Sequence, residues 1–178
     1  MKTIKLLLAS FFIISMISCS KSDDSQPAAS IVGDWTITEG LVEPTSITID
    51  MGGMPIPVEI SGSFVDIDPQ NRLTFNENKS FTSVTGSISV EVNITALGIP
   101  QTEVFEADEL FGQGTWELNG NQLKIHNENG TTITYQVDKI TETELELSSN
   151  ISEMEMEGGN DPMLNQFDVI VRVKLRRV

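Results

Sequence analysis

Gly114-Thr115-Trp116-Glu117-Leu118-Asn119-Gly120-Asn121-Gln122-Leu123-Lys124-Ile125 is the stretch on which the fold turns. Trp116 and Leu118 flank Glu117, Leu123 and Ile125 flank Lys124, and Asn119-Gly120-Asn121 lies between the two runs. Successive side chains of a strand point to opposite faces, so each run puts its oily residues on one side and its polar ones on the other. Asn and Gly tolerate the positive φ that a tight hairpin turn requires. Two antiparallel strands, half-buried, are therefore predicted here.

The same two-residue rhythm extends in both directions. Ile133, Tyr135 and Val137 alternate with polar residues, as do Leu145 and Leu147, and Ile88, Val90, Val92 and Ile94. Near the end, Val169, Val171, Val173 and Leu175 repeat it. Turn chemistry punctuates the runs at Asn76-Glu77-Asn78-Lys79, Asn127-Glu128-Asn129-Gly130 and Gly158-Gly159-Asn160-Asp161-Pro162. Helical periodicity is absent after the first residues; Glu106 to Phe111 could form one turn. A meander of about eight to ten strands must close or stack to hide its edges, and closure into an all-β, antiparallel up-and-down barrel is the expected architecture.

The chain has 178 residues. Residues 1–18 read as a processing segment: Lys2 and Lys5, then an apolar run from Leu6 to Ile17 that is too short for an ordinary membrane span. A small residue, Ser18, directly precedes Cys19, the one cysteine of the chain. This arrangement resembles the lipobox of bacterial lipoproteins, with Met16 where Leu is usual, and it implies a lipid carried on Cys19. Two or more acyl chains, at about 0.8 kcal/mol per buried CH₂, hold a protein firmly where one would not. Residues 19–30 form a small, polar stretch expected to be a flexible tether, and residues 31–178 form the β domain. Lys21 followed by Asp23 and Asp24 resembles the acidic export tag of surface-displayed lipoproteins. The expected address is the bacterial outer membrane, with surface exposure slightly ahead of a periplasm-facing position.

Without Lys2 and Lys5 the 11 basic residues fall to 9 against 26 acidic ones, and the net charge moves from −15 to −17. That balance excludes nucleic acid, which demands clustered Lys and Arg. A single cysteine excludes an intrachain disulfide and metal sites built on several thiolates. His126 is the one histidine, placed by alternation on an outer face, with no nucleophile motif beside it. Asp66 and Asp68, Glu106 with Asp108 and Glu109, and the Glu153, Glu155 and Glu157 row lack the spacing of a calcium loop and read as wet faces. Met51-Gly52-Gly53-Met54 lacks the Lys of a phosphate loop. No enzyme, metal or cofactor is expected.

Gly33-Asp34-Trp35 matches the Gly-x-Trp opening of lipocalins. The stretches Leu73-Thr74-Phe75-Asn76-Glu77-Asn78-Lys79-Ser80-Phe81 (with Lys79 where Gly is more usual) and Gly114 to Ile125 resemble hairpins of bacterial lipocalin-like lipoproteins. Tyr135-Gln136-Val137 and Glu144-Leu145-Glu146-Leu147 continue the pattern, so the resemblance covers about Ile31 to Ser148. It implies a lipocalin-type barrel whose closed end holds Trp35 under a basic side chain of the last strand, Arg176 or Arg177.

The resemblance also implies a monomeric binding module for a small hydrophobic ligand. Ile37, Phe75, Ile88, Val90, Trp116, Leu118, Ile133 and Tyr135 are the expected lining. Three loops carry apolar residues where turns are normally polar: Met51, Met54 and Ile56; Leu97 and Ile99; Met163 and Leu164. They are expected to rim the mouth as a portal or docking patch, or else to fold back and complete the core. The alternative function is a cell-envelope interaction scaffold with a filled barrel and an envelope protein as partner.

Overall fold

The computed structural model describes residues 29–50, 52–84, 86–106, 111–150 and 168–178. Among them, eleven strands form one antiparallel sheet: β1 (Gly33–Asp50), β2 (Pro55–Val65), β3 (Arg72–Phe75), β4 (Ser80–Val84), β5 (Ser89–Ala96), β6 (Ile99–Glu106), β7 (Gly114–Asn119), β8 (Gln122–Asn127), β9 (Thr132–Ile140), β10 (Glu144–Asn150) and β11 (Ile170–Arg177). Eight of them, β1, β3, β4, β7, β8, β9, β10 and β11, close into a barrel when β11 pairs with β1. Cys19, Met51, Met163 and Leu164 lie outside the described residues.

β2, β5 and β6 continue beyond the barrel as an open ribbon on the upper half of β1. β1 meets β3 through Gly33–Trp35 and β2 through Leu41–Asp50, so β2 and β3 are two parts of one strand running down the same edge. β5 continues β4 in the same way, since β4 pairs with β3 and β5 with β2. The result is an eight-strand meander whose early strands overshoot the barrel.

Asn71 repairs the break between β2 and β3. Its side chain is 1% exposed; Oδ1 accepts from the Ile37 amide at 2.6 Å, while Nδ2 donates to the Ile37 carbonyl at 3.1 Å and the Asp68 carbonyl at 2.6 Å. A side-chain amide thus takes the place of a missing ladder partner, because buried backbone groups cannot be left unpaired.

β1 keeps one face inward over 18 residues only by slipping phase twice. Trp35 and Ile37 are buried, then Gly40 and Val42, and higher up Ile47 and Ile49 are the half-buried members. A register shift against β11 between Ile37 and Glu39 makes the first change, and one against β2 between Val42 and Thr45 makes the second. Each bulge inserts one residue and flips the alternation. Without the second, Ser46 and Thr48 would face inward in place of Ile47 and Ile49. Gly40 sits between the two slips, and the Phe64 ring lies directly on it; a Cβ there would come within 2.1 Å of the ring.

On the outer wall, Arg172 bridges both kinds of irregularity. It bonds Glu43, beside the second β1 bulge, at 2.6 Å, and Asp138, the extra residue where β9 shifts against β10.

Candidate functional site

The barrel interior is built from the strands that the two-residue rhythm marks out. Ile37, Phe75, Ile88, Trp116, Ile133 and Tyr135 are all buried in one apolar cluster, and the half-buried Val90 and Leu118 pack against it. The eight expected lining residues therefore share one core. Phe64, Phe81 and Phe111 join them, and sequence reading had not singled these out. The alternation of Val58, Ile60 and Phe64 was the available signal for the first.

The lower barrel is filled by its own rings. Phe75 meets Phe81 at 4.9 Å and Trp116 edge-on at 5.7 Å, and Phe111 stacks on Tyr135 at 5.5 Å. Phe75 is 0% exposed, so no water-sized space touches it. Burial in this cluster pushes the Tyr135 hydroxyl well above its ordinary value, because the phenolate form would lose its hydration. Lys79 lies over the Trp116 ring at 3.8 Å, on the rim of the closed end.

Trp35 seals that end. It is fully buried, and its indole N–H donates to the Ile31 carbonyl at 2.7 Å. The Arg177 guanidinium lies 4.3 Å from the ring centre and donates to the carbonyls of Ser30, Val32 and Glu142. Of the two arginines offered by the sequence, Arg177 takes this place; Arg176 is exposed, because adjacent residues of β11 point to opposite faces.

The other end is open in a different sense. Cross-strand partners share a face, and the pairs Ile49 with Ile56, Ile47 with Val58, and Ile60 with Ile94 put six apolar side chains on one side of the ribbon. The register joins this side to Val42 and Phe64, which belong to the barrel core. Opposite lie Ser46, Thr48, Glu59, Ser61, Asn93 and Thr95. The interior surface thus runs on, half-buried, past the barrel mouth. Ile56 belongs to this surface.

Met54, Leu97 and Ile99 do not encircle the mouth. They are exposed at the far tip of the ribbon, where the β1–β2 and β5–β6 hairpins end side by side. The physical reason is that both hairpins keep pairing: β1 runs eight residues beyond Val42, about 26 Å at the usual rise of a strand. The two apolar loops resemble each other in sequence and lie toward the same end of the ribbon.

His126 stands on the outer wall, bonded to Glu117 and to Thr132 at 2.9 Å each. The bond from His126 holds the Glu117 carboxyl below its usual range. Lys124, the cross-strand partner of Glu117, adds a positive charge beside the pair. Among the described residues, no three His, Cys, Asp or Glu side chains are placed to hold a metal ion.

A family profile described as a lipocalin-like domain matches residues 31–147, from the lead-in of β1 to the middle of β10. No curated protein and no solved structure matches the chain. The matched span includes Trp35, the aromatic rings of the core and the whole ribbon, and on that match, over more than half of its length, the chain belongs to the lipocalin-like domain family.

Proposed function

We propose that this protein is a binding module, not an enzyme, that takes one small apolar molecule at the mouth of its barrel, between the aromatic floor and the apolar side of the ribbon. The observation that carries this reading is the continuity of the inward face. Two bulges re-phase β1 so that Ile47 and Ile49 stay in line with Val42, and the half-buried face of Ile60 and Ile94 joins them. An apolar face of this kind above a packed floor suits a flat or extended hydrocarbon, such as a fatty acid or an isoprenoid. In this reading the rings of Phe75, Trp116 and Tyr135 form the floor, while Val90, the cross-strand partner of Phe64, stands nearest the ligand.

The proposal includes the address. A lipid on Cys19 anchors the protein in the bacterial outer membrane, facing the outside, and residues 19–30 lead to the closed end beneath Trp35. The lipobox-like Ser18-Cys19 and the acidic Asp23-Asp24 support it. Metabolic labelling with a radioactive fatty acid, compared between the parent and Cys19→Ala, tests the anchor; protease shaving of intact cells tests the side.

The soluble fragment from Ser30, titrated with the neutral probe N-phenyl-1-naphthylamine and then with fatty acids as competitors, tests the site. Saturable one-to-one binding is expected, weakened at least tenfold by Ile60→Asp and little affected by Leu118→Ala. A fragment that binds no apolar probe would return the barrel to the reading of a solid interaction scaffold, which the self-filling rings around Phe75 favour.

A further inference from the structure

β6 is the outer margin of the ribbon. All eight of its residues are exposed, and among the described residues it pairs with β5 alone. Its backbone can be assigned bond by bond. Leu97 and Gly98, with φ of 53° and 75°, form a two-residue turn that makes Ala96 and Ile99 a hydrogen-bonded pair. Alternation then turns Ile99, Gln101, Glu103 and Phe105 toward β5, and leaves the amides of Thr102, Val104 and Glu106 facing away. The carbonyls of Pro100, Thr102, Val104 and Glu106 face away too.

Such a margin is a template for another strand, and natural proteins usually blunt it with Lys, Pro or a bulge. Here Pro100 blocks the tip end, but the following residues carry no such device. Val104 and Phe105, 58% and 53% exposed, offer an apolar contact on each face. The charge around them has one sign. Glu103 stands on one face, Glu91 and Glu106 on the other, and no Lys or Arg occurs in residues 43–71 or 80–123, which contain every strand of the ribbon above the barrel.

We propose that β6 accepts an added β-strand from a partner protein, and that the partner's segment carries Lys or Arg among apolar residues. Backbone bonds to Thr102, Val104 and Glu106 supply the pairing, and the flanking carboxylates select the basic side chains. A second copy of this chain would bring an edge that also carries Glu103 and Glu106 and no basic side chain, so its charge repels instead of attracting. The docking line is the edge of the ribbon and not its apolar side, so the reading stands apart from the ligand site.

The test uses the mature, lipid-bearing chain in phosphatidylcholine nanodiscs and a labelled ten-residue peptide of alternating Lys and Val. Two control peptides carry Glu in place of Lys, or N-methyl groups on alternate amides. The Lys–Val peptide should bind saturably, one to one, and slow amide exchange at Thr102, Val104 and Glu106. Both controls should bind at least tenfold more weakly. Val104→Pro, which removes an outward amide and no bond to β5, should do the same with an unchanged circular dichroism spectrum. An N-methylated peptide that binds as well as its parent, a Val104→Pro chain of full affinity, absence of binding, or dimers of the chain that protect the same three amides would each overturn the proposal.

Discussion

Arg177 covers Trp35 with its guanidinium 4.3 Å from the ring centre, and every bond recorded for that guanidinium goes to a backbone carbonyl: Ser30, Val32 and Glu142. One side chain from the end of β11 thus ties the lead-in of β1 to the β9–β10 turn. Arg177→Ala should cost about 2–3 kcal/mol, from a cation–π contact near 1 kcal/mol plus hydrogen bonds of similar size. Arg176→Ala should stay within about 0.5 kcal/mol, as an exposed position does. Urea unfolding of the fragment from Ser30 reads both; equal midpoints for the two variants would reject this account of the seal.

Asn71 is a substitute backbone. Replacing it by Ala leaves the amide and carbonyl of Ile37 buried without partners, at about 1–3 kcal/mol each. A loss of about 3 kcal/mol or more is expected in the denaturation midpoint. Asn71→Asp keeps the shape but loses the donor to Ile37 and Asp68, so it should not restore stability; recovery by Asp would contradict the bonding described.

Two turns at opposite ends of the barrel share one design. In Asn76-Glu77-Asn78-Lys79-Ser80 the Asn76 side chain donates to the Ser80 hydroxyl and Asn78 Oδ1 accepts from the Ser80 amide. In Asn127-Glu128-Asn129-Gly130-Thr131 the same bonds join Asn127 to Thr131 and Asn129 to Thr131. The fourth residue has positive φ in both, 68° at Lys79 and 90° at Gly130. Lys79 tolerates this strain, of order 1 kcal/mol, because its ammonium gains the Trp116 face. Lys79→Gly should therefore be nearly neutral, while Gly130→Lys, with nothing beneath it, should cost about 1 kcal/mol in a thermal melt.

Tyr135 predicts the alkaline limb. Its folded hydroxyl titrates above the unfolded value near 10, so above that pH the unfolded chain gives up a proton that the folded chain retains. The associated stability is complete below pH about 10 and falls as pH rises, by up to about 1.4 kcal/mol per unit. Tyr135→Phe should flatten this fall; urea midpoints at pH 9 and 11 measure it. An unchanged slope in the variant would assign the limb to another group.

The barrel itself was legible in the sequence wherever one phase holds along a whole strand. Trp116, Leu123, Ile125, Tyr135, Leu145, Leu147, Val173 and Leu175 are buried where alternation puts them. β1 was not legible in the same way, because its inward phase changes twice and a bulge is defined by the partner strand, not by the residues that form it. The ribbon escaped for a related reason. Nothing in Ile49 or Ile94 says that pairing continues past the point where β11 stops, and loops assigned to the mouth were carried to a distant tip. Asn71 carried no signal either, since its role depends on an amide 34 residues away in sequence.

β1 begins under the Trp35 seal, where Ser30 is held by Arg177, and ends at the tip of the ribbon. A pull between Ser30 and the tip therefore enters and leaves through one continuous strand. That load is carried by the covalent backbone of β1, so the cross-strand bonds to β11, β2 and β3 are not asked to break. The tip therefore stays joined to the start of the domain by one backbone, whatever becomes of the other strands.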